Sequence, residues 1–278
     1  MSIIKLAFVG DTMTGDQFYT MGSGVRSNIK KYNYGFIDNN ICDIFKSHDL
    51  VFCNLETVIS DKGLKTGSLR SMDMRGSSDT ADKLSKWGIN IVNLSNNHIL
   101  EHGREAALDS IELLNNAGID ITGCGDGNSF DNKIGVTKKT VSGTDFYFFS
   151  ICFINDKYSY NGGGGTNELL KKISEIKTVS HGIIIVSLHW GHEYVDRPSI
   201  DQMELAERLL NSGVDIIIGH HPHVYQGTRI LDNKLIAYSL GNFIFGDFYK
   251  DTDWSAILSI TVENMKIQSY ELLPIYCD

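Results

Sequence analysis

Five short apolar runs punctuate the chain, and each ends in polar residues: IIKLAFVGD (3–11), LVFCNLE (50–56), INIVNLSNNH (89–98), GIIIVSLHWGH (182–192) and VDIIIGHHPH (214–223). Runs this short, rich in Ile, Val, Leu and Phe and followed by polar loops, predict buried strands, among them 3–9 and 50–54. The stretch DTADKLSKW (79–87) opens on an acidic N-cap candidate and stops before Gly88, which predicts a short helix feeding the strand INIVNL. In REAALDSIELLNNAG, Ala107, Ile111, Leu114 and Ala117 recur at helical spacing and Gly118 stands at a C-cap position. The order of strand, polar cluster and helix returns at 183–213, where IIIVSLHWGHEY precedes the helical SIDQMELAERLLNSG and VDIIIG then opens the next strand.

Between these halves TDFYFFSICF (144–153) reads as an aromatic strand, and YNGGGGTN leads from it to a further helix. The later segments LIAYSLGNF, AILSITVE and KIQSYELLPI predict strands with hairpin-like connections, so the pattern favours a mixed α/β architecture with two sheets. No linker, charge block or repeat divides the chain, and one domain over 1–278 is expected. The glycine runs GCGDG (123–127) and GGGG (162–165) lack the strand-to-helix context of a phosphate-binding fingerprint and read as flexible turns. Loops around 19–35, 60–78 and 154–166 carry no clear motif, and substrate specificity is expected to lie there.

Composition narrows the class. The 278 residues are 42% apolar, normal for a packed core, and carry a net charge of −9 without a dense Lys/Arg block. Nucleic acid and anionic membrane surfaces need a concentrated positive field, so neither is an expected partner. Five widely spaced cysteines without a C-x-x-C pair suggest reduced thiols and a cytoplasmic setting. No apolar run approaches the ~20 residues of a membrane span, and the start MSIIKLAFVGD is too short for a signal-peptide core.

The strand-end clusters carry the candidate chemistry. An open α/β sheet gathers its ligands outside the carboxyl ends of its strands, so residues distant in sequence are expected to converge there; six of the nine histidines lie in these clusters. Asp11 and Glu56 offer carboxylate oxygens, Asn97 an amide oxygen, and His189, His221 and His223 imidazole nitrogens. This mixed set suits Zn, Mn or Fe better than Ca or Mg. Two such ions would polarise a phosphoryl oxygen and turn a bound water into a nucleophile, while His98, beside Asn97, would protonate the leaving group. Restricted backbone around Pro222 is expected to hold His221 and His223 toward one point. Asp11 also suits an ordinary turn and Asn54 an Asx turn. His220 should point away from His221 and serve structure, and His192 either supports the site or lies on the surface. His48, His102 and His181 stand alone as surface residues, and Cys53 reads as a small core residue.

Six ordered blocks, GDTMTGD, CNLETVIS, NLSNNHILEHG, LHWGHEY, GHHPHVYQG and IAYSLGNFIFG, spread over about residues 5–247, resemble the CapA family of bacterial capsule and poly-gamma-glutamate biosynthesis proteins. That family is similar in turn to the calcineurin-like metallophosphoesterases. The resemblance implies a four-layer α/β/β/α sandwich whose two mixed central sheets carry a dinuclear metal centre at one edge. It matches Asp11, Asn97-His98, His189 and the pair His221 and His223 to the superfamily's site, and sets Glu56 near its bridging carboxylate; Met13 stands where a histidine is usual. Asn54, His192 and two arginines near SMDMRGSSD, Arg70 and Arg75, are the candidates for binding an anionic small molecule or polymer. The implied function is a metal-dependent hydrolase, metal-bound hydroxide attacking a phosphoester in capsule or polymer biosynthesis. The alternatives are a non-hydrolytic, metal-containing component working with capsule-synthesis proteins, and a peptidase-like activity on γ-linked or cell-wall peptides.

Overall fold

Alternation along each central strand sorts its side chains into two cores, because successive residues of a strand face opposite sides of its sheet. In the strand Ile4–Thr12, Leu6 and Phe8 join one apolar cluster while Ala7 and Val9 join another. In Leu50–Leu55 the split is Leu50 and Phe52 against Val51 and Cys53. Strand Ile183–His189 sends Ile183 and Ile185 into the cluster of Leu6 and Phe8, and turns Ile184, Val186 and Leu188 the other way. Two sheets therefore meet face to face, as the stacked rings of Phe52 and Phe148, 6.0 Å apart, show at the centre of the interface.

The computed structural model describes residues 3–125, 129–131, 133–246 and 250–277. Its first sheet runs in the order Lys266–Tyr276, Trp254–Glu263, Ile4–Thr12, Leu50–Leu55, Ile91–Asn93 and Asp120–Thr122, with Asn242–Ile244 also paired to Ile4–Thr12. The second runs Tyr225–Leu231, Lys234–Leu240, Ile216–His220, Ile183–His189, Thr144–Cys152 and Thr137–Val141. Both mix parallel and antiparallel pairs. Helices Val25–Tyr32, Gly35–Lys46, Thr80–Trp87 and Gly103–Asn116 cover the outer face of the first sheet through residues such as Ile29, Phe45, Leu84 and Ile111. Helices Thr166–Val179 and Ile200–Asn211 cover the second through Leu169, Ile173, Ala206 and Leu209. The architecture is the four-layer α/β/β/α sandwich with two mixed central sheets.

Several sequence expectations are met in detail. Gly88 ends the helix before it in a left-handed conformation at φ 102°, and Asn264 and Met265, both at positive φ, close the hairpin between the last two strands. Cys53 is buried in the core, where burial pushes its thiol up to about 12. Other readings change. The loop expected at 19–35 contains the helix Val25–Tyr32. The GGGG run is packed rather than loose: a Cβ on Gly162 would meet the carbonyl oxygen of Ser150 at 2.4 Å, and one on Gly163 that of Lys133 at 2.2 Å. In GCGDG, residues 126 and 127 lie outside the described residues. His48 and His102 are half-buried staples, bonding Ser259 Oγ at 2.8 Å and the Asp73 carbonyl at 2.6 Å, whereas His181 is exposed. Among the described residues no helix is long and apolar enough to cross a membrane.

Helix Ile200–Asn211 starts on a reciprocal cap: Ser199 Oγ accepts from the Gln202 backbone N–H at 3.2 Å, and Gln202 Oε1 accepts from the Ser199 N–H at 2.9 Å. Replacement Ser199→Ala is expected to lower stability by about 1 kcal/mol, seen as a lower denaturant midpoint at unchanged slope. An unchanged midpoint would show that the cap contributes nothing here.

Candidate metal centre

Register brings the polar strand ends together. Asp11 sits opposite both Asn54 and Asn242 in the first sheet, and His189 sits opposite His220 in the second. The backbone N–H of His221 crosses between the sheets to donate to Asp11 Oδ2 at 3.0 Å. His221 and His223 both have positive φ, 93° and 59°, on either side of Pro222. The residue before a proline ordinarily stays extended. The convergence of the two imidazoles thus rests on two unusual backbone conformations, each costing about 1–3 kcal/mol, and not on the ordinary restriction proline imposes.

Donor atoms fall into two groups, Glu56 with His221 and His223, and Asp11 with Glu56 and His189; within each group they lie within 4.8 Å of one another, and all five residues are buried. Glu56 belongs to both. Its Oε1 is 3.4 Å from His189 Nε2, 3.9 Å from His223 Nε2 and 4.0 Å from His98 Nε2. Asn97 Oδ1 accepts from His189 Nε2 at 2.8 Å, so the amide oxygen also reaches the cluster. Asn54 Nδ2 is shared among Asp11 Oδ1 (2.8 Å), Glu56 Oε2 (3.2 Å) and His189 Nδ1 (3.3 Å), which ties the two carboxylates together.

A cation suits this set. Glu56 Oε1 and His221 Nδ1 are buried without a hydrogen-bond partner, although buried polar atoms nearly always have one. Burial drives His221 down to about 2 and holds His189 well below its ordinary value, so both rings are neutral. Burial and the negative charge of Asp11 push Glu56 up to about 8. Burial opposes charge on His223 as well, yet Glu56 and Asp11 outweigh it and raise the ring to about 10. Asp11 is likewise opposed by burial but is held well below the usual carboxylate range by His220 and His223. A divalent ion would take the place of the protons on Glu56 and His223.

His98 borders the cluster, its side chain 21% exposed, with Nδ1 bonded to Glu101 Oε2 at 2.8 Å. Burial disfavours its charged form, but the Glu101 bond and the charge of Glu56 outweigh that and raise its pKa. His220 joins neither donor group; its Nδ1 lies 3.2 Å from Asp11 Oδ1 and its ring stacks on Phe52, in keeping with a structural role.

The residues expected to touch substrate, Asn54, Arg70, Arg75 and His192, differ in their placement. Asn54 is fully buried between the carboxylates. Arg75 is 1% exposed, its guanidinium donating to the carbonyls of Lys62 (2.5 Å) and Ser71 (3.4 Å), and so fastens from inside the segment 60–78, which holds the short helix Leu69–Met72 and the strand Arg75–Gly76. Arg70 and His192 are exposed, and neither lines the cavity over His98 and His223. Met13 is buried with Met74 and Phe245, its sulfur accepting from the Gly15 N–H at 3.0 Å. Sequence reasoning missed Asn93, which donates to Asn54 Oδ1 at 2.8 Å, and Asn242, whose Oδ1 faces His223 Nδ1 at 2.9 Å. It also missed Glu101, whose spacing of three from His98 was a readable signal.

Fold and strand-end cluster together define an α/β/β/α sandwich protein with a buried set of candidate metal ligands at its strand ends. A solved structure described as a novel phosphatase from Mycoplasma pneumoniae superposes with a TM-score of 0.62 at 15% identity, covering 99% of this chain and 94% of that one, a likeness of fold. The chain belongs to the bacterial capsule synthesis protein PGA_cap family, whose profile matches residues 5–247. It is 28% identical over 275 residues to the capsule biosynthesis protein CapA of Bacillus anthracis, spanning 95% of this chain but 66% of that protein. It is 26% identical over 280 residues to the PGA biosynthesis protein CapA of Bacillus subtilis, spanning 98% of this chain and 71% of that protein.

Proposed function

We propose that this capsule-synthesis family member is a divalent-metal-dependent phosphoesterase acting in capsule or poly-gamma-glutamate biosynthesis. The observation that carries the reading is the carboxylate of Glu56, buried, lacking a partner on one oxygen and shared by two donor groups. Asp11, Glu56, Asn97, His189, His221 and His223 would hold two ions of Mn, Fe or Zn. Such ions, when bound, polarise a phosphoryl oxygen and make water more acidic. Glu101 fixes the His98 ring by accepting from Nδ1, and Nε2, 3.2 Å from the Asn97 amide nitrogen, would give a proton to the leaving oxygen from the charged ring. The buried amide of Asn54 holds Asp11 and Glu56 in place, and the walls of the cluster exclude bulk water.

Protein purified without chelator should contain one or more of these metals by atomic emission and cleave bis(p-nitrophenyl) phosphate. Chelation should remove the activity and Mn should restore it. Metal-free protein that stays inert after loading with Mn, Fe or Zn would reject the proposal. A second reading, a non-hydrolytic metal-containing component of a synthesis assembly, is favoured by Met13: its sulfur faces a backbone N–H inside an apolar cluster, so the first block supplies no nitrogen ligand. Protein that holds metal, turns over no ester in a broad panel and recovers a membrane synthase in a pull-down would move the conclusion to this reading.

A further inference from the structure

A cavity of about 490 Å³ opens over His98 and His223, a volume typical of small-molecule sites. Among the described residues its lining includes no Lys or Arg. Three aromatic rings form its walls instead. Phe245 packs 4.4 Å from the His223 ring and Tyr194 6.2 Å from it, while Tyr19 is 53% exposed at the mouth. Glu193 adds an exposed carboxylate to the same lining. Gln17 adds an amide that is 8% exposed and whose oxygen is buried without a hydrogen-bond partner.

These groups share one preference. A carboxylate attracts a cation, aromatic faces attract one through their quadrupole, and an unpaired amide oxygen accepts an N–H. The carboxylate and the ring faces disfavour an anion, and no guanidinium turns in to compensate, since Arg75 is occupied by the carbonyls of Lys62 and Ser71. A polyanionic chain would meet Glu193 with no lysine or arginine in the lining to offset it, the basic groups there being the imidazoles His98 and His223 at the donor cluster. We propose that the site selects phosphoesters bearing a protonated amine close to the phosphorus, the ammonium lying between Glu193 and the rings of Tyr19 and Tyr194 while the phosphoryl group faces the donor cluster. This names a substrate class for the phosphoesterase reading and rests on it.

Three diesters with one leaving group test the idea: ethyl, 2-aminoethyl and 2-carboxyethyl p-nitrophenyl phosphate, offered to Mn-loaded protein. The aminoethyl ester should show a kcat/KM about tenfold above the ethyl ester, with the carboxyethyl ester slowest, in line with one ammonium contact of this kind. Glu193→Gln should bring the aminoethyl and ethyl values close together, and Glu193→Lys should favour the carboxyethyl ester. Equal rates in the wild type, or a faster carboxyethyl ester, would overturn the proposal. If no diester is cleaved the phosphoesterase reading fails by itself, and calorimetric binding of O-phosphoethanolamine against ethyl phosphate and 2-carboxyethyl phosphate still decides selectivity. Tighter binding of the amine, lost in Glu193→Gln, upholds it; equal binding defeats it.

Discussion

Glu56→Gln is expected to empty both metal positions at once, lower hydrolysis by at least about 10³-fold and flatten the pH dependence of stability in the metal-free protein. Both donor groups use this carboxylate, and among the described residues no other belongs to both. The stability effect follows from the proton. Burial and Asp11 raise the Glu56 carboxyl from 4.5 to about 8, so from about pH 4.5 to pH 8 the folded chain keeps a proton that the unfolded chain has released. Metal-free stability from this group therefore falls as pH rises through that window, and glutamine has no proton to lose. His189 and His221, lowered chiefly by burial, pull the opposite way below 6.5 in both proteins and cancel in the comparison. His223, raised to about 10, begins to contribute only above 6.5, where the unfolded ring loses its proton. Between pH 4.5 and 6.5 the difference between the two profiles isolates Glu56 and should reach about 2 kcal/mol, since each pH unit is worth about 1.4. Denaturant titrations with chelator, alongside metal analysis, read both effects; a variant that keeps two ions, or parallel profiles, would refute this account.

That a single carboxylate can matter so much was partly legible in the chain. Strand ends were readable because buried strands leave continuous apolar runs, and the residue types that follow them, His, Asp, Glu and Asn, are those that bind metals. The direction of a long side chain is not readable in this way. Arg75 follows a polar segment, which suits a surface or a substrate contact equally well, and only the fold shows its guanidinium turned onto the carbonyls of Lys62 and Ser71. Asn54 was hidden for a related reason: an asparagine at a strand end suits a turn, and its position between two carboxylates depends on the register that sets Asp11 beside it. The helix Val25–Tyr32 escaped notice because its eight residues bury little more than Val25, Arg26 and Ile29, too few to stand out from the polar residues around them. The supporting asparagines 93 and 242 lay within blocks that carried the family resemblance, yet no pattern in one sequence distinguishes an amide that orients a ligand from one that closes a loop.

Gly10→Ala should be among the most damaging changes outside the donor set, lowering stability by about 4 kcal/mol or preventing folding. The glycine lies beside Asp11 in a strand flanked on the site side by Asn242–Ile244, and a Cβ there would stand 1.8 Å from the carbonyl oxygen of Gly241 and 2.8 Å from its carbonyl carbon. Both atoms are backbone, so no side-chain rotation relieves the clash, and the two strands must separate. Separation breaks the 2.9 Å bond from the Asp11 N–H to that same carbonyl and withdraws Asn242 from His223, so a defect of packing reaches both donor groups. Gly35→Ala is the matching control, since a Cβ there meets nothing within 4 Å and the residue begins a helix, where alanine is the better former. The control should melt within a degree or two of the wild type. The Gly10 variant should melt at least about 8 °C lower, at the 2–4 °C per kcal/mol typical of a chain this size, and bind less metal in whatever fraction folds. A Gly10→Ala protein with wild-type melting and metal content would show that the two strands are not held as closely as the Asp11 and Gly241 contact requires.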